Sequence, residues 1–147
     1  MIAIGSDHGG YLLKQEVLKY LDQNNIKYKD FGTFSTESCD YPEIAQLVAS
    51  KVSSGEFKRG LLFCGTGLGM SVAANKIKNI RAVCLTDSYS VKYSRLHNDA
   101  NILCLGGRVV GIGLALELIN IFLSTEFDLE NSRHKKRLEM INILENK

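Results

Sequence analysis

The chain has 147 residues, enough for one compact domain and too few for a second large core. Hydrophobic residues make up 45% of it and charged residues 23%, and the net charge of +2 argues against a nucleic-acid or acidic-membrane partner. No secretory leader opens the sequence and no apolar run reaches the ~20 residues of a membrane span, so a cytoplasmic, membrane-free protein is expected.

Strand and helix signals alternate along the chain, the pattern of an α/β domain with a parallel sheet. Residues 2–5 read as a short apolar strand ending in a glycine turn. Leu13, Val17 and Leu21 follow at helical spacing until Asn24-Asn25 breaks the helix. A second strand is expected over 26–31. Pro42 then suits the first turn of a helix whose buried face carries Ile44, Leu47, Val48 and Val52.

Residues 60–64 (GLLFC) form a third strand, apolar throughout, as a strand covered on both faces is. A glycine loop opens the helix expected over 70–76. Strand four is expected over 82–85, Asp87 caps a short polar helix, and strand five covers 102–105. A long apolar helix over 110–123 and a charged one over 133–146 end the chain. That last helix is surplus to a five-strand sandwich. Its Leu138, Ile141 and Leu144 suggest packing on the domain edge or, preferably, against another subunit. With no linker or repeat, residues 1–147 make a single domain.

In open parallel sheets, ligands bind beyond the carboxyl ends of the strands. The segments to inspect are therefore Ser6-Asp7-His8-Gly9-Gly10, Cys64-Gly65-Thr66-Gly67-Leu68-Gly69, Gly106-Gly107-Arg108, and His97-Asn98-Asp99 just before strand five. The glycine loop after strand three can turn backbone N–H groups toward a phosphate or a developing oxyanion. The bland alternative is a tight strand-to-helix turn. No GK[ST] follows, so it is not a P-loop, and its glycine spacing and position make a poor dinucleotide fingerprint.

Cys64 ends the strand that feeds this loop, where a helix N-terminus favours thiolate and hence a nucleophile or base. Cys39, Cys84 and Cys104 lie 20 to 25 residues from their neighbours in the cysteine series, with no CxxC pair, so free thiols are expected and no metal site. Cys84 and Cys104 suit inert core positions. Near the end, Arg133-His134-Lys135-Lys136-Arg137 places two arginines four apart on one helix face. A phosphate grip competes there with a merely solvated basic face. Nucleic-acid binding is disfavoured, since no aromatics are interleaved.

Together, GSDHGG, DYPEIA, GLLFCGTGLGMSVAANK, IRAV, SRLHNDANILCLGGRVVG and SRHKKR resemble the type B ribose-5-phosphate isomerases. That family includes galactose-6-phosphate and allose-6-phosphate isomerases, and the likeness runs from about Met1 to Met140. The resemblance implies a Rossmann-like three-layer α/β/α sandwich with a five-stranded parallel sheet. It implies a homodimer or dimer of dimers with the active site between subunits and the last helix reaching the neighbour. It also implies that Cys64 transfers the proton, that Thr66 and the backbone of Gly65, Gly67, Leu68 and Gly69 hold the enediolate oxygen, and that His97 opens the furanose ring. Asn98, Asp7, His8 and Tyr41 would contact the sugar, and Arg108, with Arg133, His134 and Arg137 of the partner, the phosphate. No cofactor or metal is implied. One branch replaces the cysteine by a glutamate at the position of Met70; this chain resembles the cysteine branch. Two rival readings remain: a hexose phosphate substrate, or a non-catalytic sugar-phosphate or nucleotide-binding module.

Overall fold

The computed structural model describes residues 1–146. Strands β1 (Ile2–Ser6), β2 (Tyr28–Asp30), β3 (Arg59–Cys64), β4 (Ala82–Cys84) and β5 (Ile102–Gly106) form one sheet in the order β2-β1-β3-β5-β4, every pairing parallel. Helices α1 (Tyr11–Gln23), α4 (Ser88–Leu96) and α5 (Ile112–Ser124) cover one face, and α2 (Tyr41–Ser53) and α3 (Leu68–Ala74) the other. The period of two along β3 serves both layers at once. Leu61 and Phe63 pack under α1 and α5, while Leu62 and Cys64 pack under α2 and α3. This two-sided burial explains why β3 is apolar throughout. No helix among the described residues is long and apolar enough to cross a membrane.

The expected elements all form, with shifted ends. The edge strand β2 is shorter than 26–31 because the chain is still leaving α1: Asn25 adopts a left-handed backbone (φ 55) and Ile26 donates its N–H back to Leu21. Helix α3 begins at Leu68 rather than Met70, since Gly67 at φ 80 already makes the turn. Leu47 is 41% exposed and not part of the inward face of α2, which instead carries Ala45, Val48, Ala49 and Val52. Small residues there let the helix lie close to the sheet.

The last helix, α6 (Ser132–Leu144), stands apart from the sandwich, with only His134 buried. Glu145 tethers its far end by accepting the Asn79 N–H.

One buried charge stabilises the first crossover. The Lys14 ammonium, fully enclosed, donates to both carboxylate oxygens of Asp30 at 2.8 Å and to the Thr33 carbonyl at 2.6 Å. Burial lowers the Lys14 pKa, and the Asp30 carboxylate opposes that shift. Lys14→Met strips Asp30 of its partner, and the expected loss is about 3–5 kcal/mol of stability, read from urea unfolding midpoints. A loss under about 1 kcal/mol would show that the pair does not hold the crossover.

Candidate active site

The chain runs from β1 out to β2 and then returns past β1 to β3, so the winding reverses between β1 and β3. The crevice beyond their carboxyl ends is the natural ligand site of such a sheet. Both flanking turns are present there and interlock. The Asp7 N–H donates to Phe63 O at 3.0 Å, and the Asp7 carboxylate accepts the Gly10 N–H at 3.1 Å. A Cβ on Gly10 would lie 2.3 Å from the Phe63 carbonyl carbon, so only glycine lets the two turns meet. His8, half-buried, accepts the Cys39 N–H at Nδ1 (3.2 Å), which leaves its ring proton on Nε2.

The loop from Gly65 to Gly69 closes over the end of β3. The Gly67 N–H donates to Cys64 Sγ at 3.0 Å, and the Leu68 N–H to Thr66 Oγ1 at 3.3 Å. Cys64 is 4% exposed, so a base here works almost without water. The other two strand cysteines are held as thiols. Burial, then negative charge on Cys64, raises the Cys84 thiol, and burial pushes the enclosed Cys104 thiol far higher. Arg108 lies over the loop, its Nη1 3.1 Å from where a Cβ on Gly65 would sit, and the Tyr41 ring fills the space beside Gly69. Asp7, His8, Tyr41, Cys64, Thr66, the loop amides and Arg108 therefore share one edge.

His97 and Asn98 do not join them. They precede β5, and α4 has carried the chain back across the sheet, so they sit at its amino edge. Cys64 pairs with Gly106 at the far end of β5, and the strand alone separates the two edges by about 13 Å. Of the four segments singled out in the sequence, His97-Asn98-Asp99 alone lies at the opposite edge. At the amino edge His97 meets the last helix: its ring stacks on His134 with centroids 4.1 Å apart, and a cavity of about 130 Å³ is lined by His97, Asn98, His134, Arg137, Leu138 and Ile141. Arg133 lies exposed in the same first turn of α6.

The turn holding His97 and Asn98 is tied down by Asp99 and by two arginines, Arg81 and Arg95, that the sequence analysis did not single out. Asp99 takes a left-handed backbone (φ 47), its carboxylate gripped by Arg95 at 2.7 Å and Arg81 at 2.9 Å. Arg95 also donates to the Thr125 carbonyl. The four-residue step from Arg95 to Asp99 is the sequence signal that pointed to this knot. Among the described residues, no group of three or more His, Cys, Asp or Glu side chains is arranged to hold a metal.

Residues 2–141 match the family model described as Ribose/Galactose Isomerase. The chain is 44% identical over 144 residues to ribose-5-phosphate isomerase B of Escherichia coli (strain K12), covering 98% of this chain and 95% of that one. It is 43% identical over 138 residues to D-erythrulose-4-phosphate isomerase 2 of Mycolicibacterium smegmatis, covering 92% and 91%. The structure of Clostridium thermocellum ribose-5-phosphate isomerase B superposes with a TM-score of 0.94 at 50% identity, over 99% of this chain and 97% of that one.

Proposed function

The chain belongs to the ribose/galactose isomerase family, and from that premise we propose that it interconverts ribose 5-phosphate and ribulose 5-phosphate through an enediolate. The observation that carries the reading is the carboxyl-edge cluster, in which a nearly dry thiol, a ring of amides and an arginine converge at the sheet's reversal point. Cys64 takes the carbon 2 proton as thiolate. The charge moves to the carbon 1 oxygen, where the loop amides and Thr66 receive it; the carbon 2 hydroxyl then passes its proton to the carbon 1 oxygen, and the thiol returns its proton to carbon 1 as the carbon 2 carbonyl forms. The phosphate takes no part in the chemistry. It supplies binding energy remote from the reacting carbons.

His97, which opens the cyclic sugar in this reading, is too far from Cys64 of the same chain to act with it. The site is therefore assembled from two copies. One contributes Asp7, His8, Tyr41, Cys64, the loop and Arg108, and the partner subunit contributes its His97, Asn98, Arg133, His134 and Arg137. The exposed apolar residues of α6, Met140, Ile141, Ile143 and Leu144, support a helix built to cover a second copy.

The Tyr41 ring fills the space beside Gly69, and the room it takes up at the loop favours a short sugar. A panel of ribose 5-phosphate, allose 6-phosphate, galactose 6-phosphate and erythrulose 4-phosphate tests the choice. We expect kcat/KM on ribose 5-phosphate to exceed that on either hexose phosphate by at least about tenfold. Equal or faster turnover of another member of the panel would replace the assigned substrate.

A further inference from the structure

His134 belongs to a run of cations, yet its surroundings disfavour a charge on it. It is 8% exposed and sits in the first turn of α6, where the helix dipole opposes a cation. Arg133 and Arg137 flank it on the same helix. His97 is the C-cap of α4. The two rings stack at 4.1 Å with planes 20° apart, and Tyr93 packs edge-wise on His97 at 4.7 Å, 63°. The imidazole of His97 is thus wedged between two aromatic rings. The charged and titratable groups that face the pair are Tyr93 of α4, Arg133 and Arg137 of α6, and Asp128 between α5 and α6.

We propose that His134 is a positioning residue for ring opening: a flat plate whose stacking holds the His97 imidazole in place. This rests on the reading that His97 opens the sugar ring and that the α6 cations face the phosphate. In this arrangement the arginines supply the charge that grips phosphate, while His134 offers at most a neutral N–H. Protonated His97 gives its proton to the ring oxygen as the ring C–O bond breaks, and water takes the proton released by the carbon 1 hydroxyl. His97 then regains its proton from water. The electrostatics agree: burial, then the charge on His97, holds His134 below the ordinary histidine range, Arg133 and Arg137 add to the effect, and Asp128 alone opposes it.

The test compares His134→Phe, which keeps a flat neutral ring, with His134→Ala, which removes it, in the full-length protein acting on ribose 5-phosphate. His134→Ala is expected to lose about tenfold in kcat, and His134→Phe, by restoring a flat ring, to regain at least about threefold over His134→Ala. If both variants instead raise KM equally at unchanged kcat, His134 is a phosphate ligand and the proposal is overturned. Should phenylalanine disturb α6, judged by thermal melting, NMR on the unaltered chain supplies a second measurement; it carries only three histidines. His134 is expected to titrate below free histidine, and His97→Phe to ease its protonation by at least about fivefold, as two charges about 4 Å apart require even in water. No response of His134 to that change would sink the proposal by itself. Full activity in His97→Phe would instead remove the ring-opening reading beneath it.

Discussion

Cys64→Ala is expected to lower kcat by about 10³-fold while leaving KM within a few-fold, a loss of roughly 4 kcal/mol of transition-state stabilisation. The asymmetry follows from the geometry. The sulfur accepts the Gly67 N–H at the mouth of the loop and makes no ion pair that would hold a sugar phosphate in the ground state. The substitution removes one atom from a buried position, so the fold should survive with a small drop in melting temperature. Exchange of the carbon 2 hydrogen with deuterated water is the sharper readout, since it reports proton abstraction without needing complete turnover. Exchange is expected to vanish with kcat. A variant retaining more than about a tenth of the parent rate would exclude the thiol as the base.

The second large effect is a rescue. Cys64→Ala and His97→Ala are each expected to be nearly inactive alone, yet co-expressed chains should recover about a quarter of parent activity. Random pairing makes half of the dimers mixed, and each mixed dimer has one site with both residues intact. The expectation rests on the separation of the two edges by the length of β5. A site closed within one chain would give no rescue from any mixture, and that result would overturn the two-copy assembly.

Much of the layout was readable from the residues in order. The apolar run Leu61–Cys64 forces a strand covered on both sides, and the alternation of strands with helical periods forces parallel pairing. The glycines after Cys64 marked the one turn where amides gather, and the match of several motifs named the chemistry expected of it. Even the position of His97 was open to deduction. A residue that precedes a strand in a parallel sheet lies at the amino edge, because the helix before it has carried the chain back.

Other features depended on side chains from distant parts of the sequence. The exposure of Leu47 is set by how α2 rolls on the sheet, and small residues at Ala45 and Ala49 bring that roll about. The burial of Lys14 waits on Asp30 and Thr33, sixteen and nineteen residues away. The stacking of His134 on His97 joins helices separated by the whole of β5 and α5.

The sequence by itself determined the elements, their parallel order of layers, and the strand-end thiol with its glycine loop, since these follow from periodicity and from backbone freedom within a few residues. Only the tertiary structure decided which functional groups share an edge and which face away. That division is set by strand length and by the return path of each helix, and it is what separates Cys64 from His97 within one chain.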